Sequence, residues 1–328
     1  MANTSLNTVA AIRQSVYSTI VQETLQDDFL PEGFMFDVTG ELTNGDTLNM
    51  PTVGDLVSRT QDTDAVEEAD VEFDALDTGR ITLAINKYDS TAWYSTKKLE
   101  EDQYVDIVGR MGLKEAMRAM RVSWETNALI AHNSVQTAAS VNAVNSSAHR
   151  YVASGSGRVV ALSDIAYAAF SLNKANVAEE GRIGIVDPSW ALTLDKLAGA
   201  QAFNYNPQFE GMATTGFRKN MKFLRNIYGF DLYVSNRLPT LGVESINASA
   251  YGLANSASVA GDVANFFFSV GSDEAKPVMC AWRRKPEVET WVQQEKVDSR
   301  IASKITSRYG FATHRPQGLV SILTSTVG

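Results

Sequence analysis

The sequence predicts an α+β protein, and two stretches carry that prediction. Residues 99 to 133 hold apolar side chains at three- and four-residue spacing over an unusually long run, the mark of a long helix. Residues 300 to 309 alternate strictly, with Ile301, Ser303, Ile305, Ser307 and Tyr309 on one parity and Arg300, Ala302, Lys304, Thr306 and Arg308 on the other, as a strand does. The chain has 328 residues, enough for about two cores or one elaborated core with extensions.

Taken in order, residues 5 to 30 read as an amphipathic helical arm. Val9, Ile12, Val16 and Ile20 form its stripe, Tyr17 and Val21 widen it, and Leu30-Pro31-Glu32-Gly33 stops it. Asn44-Gly45 then signals a turn. From Gln61 to Arg80 there are eight acidic residues, at 62, 64, 67, 68, 70, 72, 74 and 77, against the single basic Arg80. Large apolar residues are sparse from 58 to 70, so this segment has no core of its own and is expected to project. The plain reading is a disordered acidic loop; the sharper one is a two-stranded extended arm, because Thr47-Leu48-Asn49-Met50 and Val71-Glu72-Phe73-Asp74 alternate as strands do. Residues 80 to 96 read as strand, with Ile81, Leu83 and Ile85 on one face.

The long helix follows, about 99–133, with Glu100, Glu101 and Asp102 in its first turn, where negative charge favours the helix dipole. Its stripe is Leu113, Met117, Met120, Trp124, Ala128 and Ala131, with Tyr104, Val108 and Met111 forming a second one further N-terminal. Such a helix spans about 50 Å and acts as a beam. Residues 134 to 161 are small and polar and read as a linker. Leu162 to Val177 is helical, Ile183-Gly184-Ile185-Val186 is a buried strand, and Pro188 opens a helix continued by Trp190, Leu194 and Leu197. Strand follows at 228–234, loop at 242–262, and strands near 264–270, 277–283 and 319–323.

Net charge is -9. That argues against a surface that grips nucleic acid, which needs clustered Lys and Arg; the simplest reading is a solvated acidic surface, and the second is a wall to which phosphates do not stick. Cys280 is the only cysteine and lies in an apolar run, so it reads as a buried structural thiol. Met1 to Ala11 has no basic or apolar signal region, no stretch has the ~18 apolar residues of a membrane span, and the Asn-x-Ser triplets at Asn3, Asn145 and Asn247 are chance.

The chemistry that catalysis needs is not written in recognisable form. There is no P-loop, no GxSxG elbow, no CxxC and no HExxH. Gly155-Ser156-Gly157-Arg158 lacks the third glycine of a dinucleotide loop. His132, His149 and His314 are far apart in sequence, and the acidic run lacks calcium-loop spacing. Trp282-Arg283-Arg284-Lys285 is too short for a nucleic-acid platform. The sequence predicts no catalytic, cofactor or metal site.

The order of parts, amphipathic arm, projecting acidic arm, strand, beam helix, α/β body and closing strands, resembles the Hong Kong 97-type fold of tailed-bacteriophage major capsid proteins. Tyr228-Gly229-Phe230-Asp231-Leu232-Tyr233-Val234-Ser235-Asn236-Arg237-Leu238-Pro239 is similar to an axial-domain segment of those coats. Arg308-Tyr309-Gly310-Phe311-Ala312-Thr313-His314-Arg315-Pro316, followed by Gly318-Leu319-Val320, is similar to their final peripheral strands. The resemblance implies an N-terminal arm at 1–39, an E-loop at 40–80 and a peripheral domain at 81–161 with a spine helix at about 99–133. It further implies an axial domain at 162–283 and return strands to the peripheral domain at 284–328. Met117, Met120 and Trp124 are then the core of the spine helix, and Asp62, Asp64, Glu67, Glu68 and Arg80 are candidate contacts with neighbouring subunits.

The same resemblance implies a non-enzymatic subunit that self-assembles as hexamers and pentamers into an icosahedral shell around double-stranded DNA. The DNA is held without sequence-specific binding and no membrane is involved. A scaffolding protein, a portal protein at one vertex and a cement or decoration protein are the implied partners. The setting is the virion capsid, assembled in the bacterial host cytoplasm. An encapsulin-like compartment shell and a cytosolic α/β enzyme are the alternatives. The sequence departs from the type member in one respect. No lysine precedes Lys87, so the arm at 44–80 carries no amine for the cross-link between subunits that the type member makes.

Overall fold

In the computed structural model, residues 32–42, 45–53, 78–96, 107–136, 143–144, 147–199, 223–246, 257–294 and 299–326 are described. The N-terminal arm helix and the acidic residues Asp62, Asp64, Glu67 and Glu68 lie outside them.

Two sheets carry the fold. The first has four strands in the order β1-β12-β13-β4: β1 (Phe36–Asp37), β12 (Val278–Gln293), β13 (Arg300–Thr313) and β4 (Lys87–Thr96). β13 is antiparallel to both its neighbours, and β1 runs parallel to β12 at Met279 and Cys280. The second has six strands in the order β7-β14-β11-β8-β10-β9: β7 (Arg150–Val152), β14 (Leu319–Thr324), β11 (Val263–Ser269), β8 (Arg182–Val186), β10 (Phe230–Val234) and β9 (Phe223–Ile227). A separate hairpin pairs β2 (Thr47–Val53) with β3 (Thr78–Ala84), and a small one pairs β5 (Ala143–Val144) with β6 (Ser147–Ala148).

The middle of the six-stranded sheet is buried on both faces, which is why Phe266-Phe267-Phe268 is a continuous apolar run and not an alternating one. The pleat sorts it into two cores. Phe266 and Phe268 face the core shared with helix α1 (Ile107–Val135), while Phe267 faces the core of α2 (Leu162–Lys174) and α3 (Pro188–Gly199). Gly184 is required here, because a β-carbon would lie 2.6 Å from Leu232 and 2.8 Å from Phe267. Helix α2 starts where the Asp164 carboxylate accepts the Ala161 N–H at 2.8 Å. Helix α3 starts where Asp187 accepts the Ser189 N–H at 2.9 Å, with Pro188 in the first turn.

Helix α1 spans about 43 Å and touches β4, β12 and β13 of one sheet and β11 and β14 of the other. It ends at Val135, two residues beyond the expected limit, and 97–106 lie outside the described residues. Its buried line is Ala116, Met120, Trp124, Ala128, His132 and Gln136, each four residues from the last. Each such step advances about 40° past a full turn, so the line winds round the helix as it passes from one sheet to the other. This corrects the expected stripe. Met120 and Trp124 are buried, but Met117 is 37 % exposed and Leu113 38 %, because they lie on the rim of a contact that follows Ala116, Met120, Trp124 and Ala128 and widens only to Glu125 and Leu129. The Tyr104, Val108 and Met111 stripe lies outside the described side chains.

Strand pairing also differs from the expected partition. Leu319–Thr324, expected among the return strands to the peripheral domain, pairs in the six-stranded sheet with β7 on one side and β11 on the other, and both its faces are buried. The expected linker 134–161 contains β7, the edge strand of that same sheet. Tyr151 and Val152 supply its apolar part, and the buried Arg150 escapes notice because its charge is met by Glu244 and Asn133. Val278–Gln293, expected to divide at 283, is one strand across that boundary.

Candidate assembly surfaces

The projecting hairpin β2–β3 is seven residue pairs long and fixed at its root. Leu83 and Ile85 are buried with Val38, Leu42, Met279 and Ala281, and Ile85 N–H donates to Asp46 at 2.7 Å. The root crosses β13 at Gly310, where a β-carbon would lie 2.1 Å from the Ala84 carbonyl oxygen, so only glycine lets the two backbones approach this closely. Arg80 sits opposite Pro51 in this hairpin and is exposed. The arm therefore leaves the body on a rigid base, and Arg80 is the member of the acidic-arm set that lies among the described residues.

The far end of the β4-β13-β12 sheet is a second surface. Tyr94, Ala302 and Trp291 form one row across it, and Tyr94 is 60 % and Trp291 40 % exposed. Arg300 stacks over Tyr94 at 4.8 Å and Lys304 lies over Trp291 at 5.6 Å. Lys304 also pairs with Glu289 at 2.7 Å, and its ammonium holds the Glu289 carboxyl below the usual carboxylate range. Such exposed pairs are screened by water and order the surface more than they stabilise it.

Behind these surfaces, buried polar groups lock α1 to the six-stranded body. Glu125, 1 % exposed, accepts from Ser235 at 3.1 Å and from Arg237 at 3.0 Å. Arg150 donates to Glu244 at 2.8 Å and to Asn133 at 3.1 Å, and Gln136 donates to the carbonyls of Leu319 at 2.6 Å and Pro316 at 2.8 Å. Trp124 stacks on Trp282 at 5.9 Å and lies 6.2 Å from Phe311 and 6.4 Å from Phe34. His132 is fully buried, its Nδ1 2.8 Å from the Ala128 carbonyl and its ring against Phe34, Phe266 and Phe268. That burial lowers its pKa to about 4. Asn127 donates to the Tyr309 hydroxyl at 2.9 Å, and the hydroxyl donates to Asp89 at 2.5 Å; burial raises the Tyr309 pKa.

These groups hold the helix, the strands and the loops around them together. His132, His149 and His314 each engage a backbone carbonyl. Among the described residues no group of three or more His, Cys, Asp or Glu could hold a metal ion, and no helix is long and apolar enough to cross a membrane. Cys280 is buried, as the sequence implied. The sequence reading missed Glu125 and Arg237, whose pairing needs knowledge of the fold. It also passed over Val288-Glu289-Thr290-Trp291-Val292, a run rich in β-branched and aromatic residues that favour strands.

A family profile described as phage capsid protein matches residues 80–322. No curated protein matches the sequence. Solved structures match along almost the whole chain. The capsid of cyanophage P-SCSP1u has a TM-score of 0.68 at 12 % identity, covering 96 % of this chain and 94 % of that one. A Mycobacterium phage Che8 chain has a TM-score of 0.64 at 16 % identity, covering 95 % and 97 %. The cyanophage Pam1 capsid has a TM-score of 0.58 at 14 % identity, covering 100 % of both. At such identities the likeness speaks for the fold, and the profile speaks for the family. With a rigid-rooted arm, a beam helix between two sheets and a family match over most of its length, the chain belongs to the phage capsid protein family and is a major capsid protein of the Hong Kong 97-type fold.

Proposed function

We propose that this subunit assembles as hexamers and pentamers into an icosahedral shell enclosing double-stranded DNA, with each projecting arm lying over a neighbouring subunit. The observation that carries this reading is the β2–β3 hairpin: its root is buried and fixed, yet its outer part has few apolar residues with which to make a core. A projecting element of this kind gains burial only against another copy. In this reading Asp62, Asp64, Glu67 and Glu68 meet basic groups of the neighbour, and the exposed Arg80, outward of the arm's root, is a further contact with it.

A scaffolding protein guides assembly in the bacterial host cytoplasm, a portal protein occupies one vertex, and a cement protein supplements shell contacts. The acidic balance of -9 keeps the wall from gripping the packaged DNA. The subunit acts by assembling and not by catalysis.

The test is to express the chain with and without the scaffolding protein of its phage. Negative-stain microscopy of the sedimented material is expected to show closed shells with five- and sixfold clusters when both are present. Soluble monomer alone under both conditions overturns the proposal.

A further inference from the structure

The open edge of β12 has a pattern that matches itself. The base of this edge is covered, since β1 pairs with Met279 and Cys280 and the Thr39 hydroxyl accepts the Trp282 N–H at 3.0 Å. Beyond this base no described strand pairs with the outer side of β12. Register shifts at Trp282/Arg284 and Arg284/Glu287, together with Pro286, disturb the first part of that edge. Beyond them, Glu287 to Gln293 runs in regular register against Thr306 to Arg300. It is exposed, with Val288 at 45 % and Val292 at 48 % on one face and Trp291 at 40 % among the polar residues of the other.

Soluble proteins blunt such edges with lysine, proline or bulges, because a flat apolar edge recruits another strand. Here those devices stop at Pro286. The seven residues after it are Glu-Val-Glu-Thr-Trp-Val-Gln. Laid antiparallel against a second copy about a two-fold axis through Thr290, Val288 faces the other Val292 and Thr290 faces Thr290. Glu289 then faces Trp291, and Glu287 faces Gln293. Two valine pairs and a threonine pair share one face, and no charge stands directly opposite a like charge. Moving the axis to Glu289 puts glutamate against glutamate, and moving it to Trp291 leaves Glu287 outside the seven. Thr290 is the centre that pairs all seven without conflict.

We propose that the β12 edge, Glu287 to Gln293, joins the same edge of a second copy, so that two four-stranded sheets become one continuous sheet across a two-fold contact in the shell. This is an isologous contact, distinct from the heterologous lap of the arm. It rests on the shell reading above, because it needs many copies held side by side.

Directly opposed β-carbons lie about 5 Å apart, so a cysteine at the axis meets its own copy. Thr290→Cys shells, treated with a mild oxidant or a short bismaleimide, are expected to give a band at twice the 35.8 kDa chain mass on denaturing gels. The native chain, whose Cys280 is buried, gives none. Val288→Cys and Val292→Cys shells stay monomeric when made separately and cross-link when the two chains are co-assembled. Intact shells in which neither Thr290→Cys nor the mixed pair cross-links overturn the pairing while leaving the capsid reading standing. Absence of shells from the native chain is failure of the capsid reading itself.

A variant with Val288→Lys and Val292→Lys guards against cysteine chains that do not assemble. It is expected to keep the native urea midpoint as a free subunit and to lose at least tenfold in particle yield. An unchanged yield overturns the inference.

Discussion

His132 sits where the root of the N-terminal arm, the spine helix and the six-stranded sheet meet, and its burial makes a quantitative prediction. Phe34, Phe266 and Phe268 surround the ring at centroid distances of 5.4, 5.9 and 5.2 Å. Desolvation there lowers its pKa from 6.5 to about 4, against the smaller raising effect of the Ala128 carbonyl. The unfolded chain therefore binds the proton more readily than the folded one between those values, and stability falls as the pH drops through that window. At 1.36 kcal/mol per unit, the loss on going from pH 7 to pH 5 is about 2 kcal/mol. His132→Phe removes the titrating group and keeps a ring among the phenylalanines. Urea unfolding of the free subunit, followed by circular dichroism at pH 7 and pH 5, measures both proteins. Their stability difference is expected to shift by about 2 kcal/mol in favour of the variant at pH 5. His149, also lowered by burial, is present in both and cancels. A difference that is the same at the two pH values refutes the reasoning.

Four further outcomes follow from the geometry. Trp124→Ala removes a ring packed on Trp282, Phe311 and Phe34 and should cost about 3–5 kcal/mol in urea unfolding, with a loss below about 1 kcal/mol contradicting its place in the core. Gly310→Ala forces the arm root off β13 and should lower stability by about 1–3 kcal/mol and reduce particle yield. Neutralising Asp62, Asp64, Glu67 and Glu68 together should flatten the salt dependence of assembly, since exposed pairs worth about 0–1 kcal/mol each are multiplied over many copies. Boiled mature particles should run as a single band near 35.8 kDa on denaturing gels, because no lysine precedes Lys87 in the arm.

The long helix, the strict alternation of β13, the helix opened by Pro188 and the buried Cys280 were legible because each is a local pattern of spacing or composition. Non-local pairing was not. The strand at Leu319–Thr324 looks the same in sequence whether it joins one sheet or the other, and only its partner β11 decides. Arg150-Tyr151-Val152 hid in a polar stretch because the partners that neutralise Arg150 are distant, Glu244 above all. The Met117 expectation failed on a geometric detail, as the average helical period does not reveal which inclined ridge makes the contact. The acidic arm was visible as charge, and the open β12 edge was visible as a run of strand-favouring residues but gained meaning only when the sheet order showed no described strand beside it.

As a major capsid protein this chain is the shell's main building block, and the protein composition of purified virions tests that most directly. Quantitative mass spectrometry of such particles, with the shell separated from the tail, should find this chain as the most abundant shell protein, in copy number far above any other. A shell built mainly of another chain, with this one scarce or missing, contradicts the account.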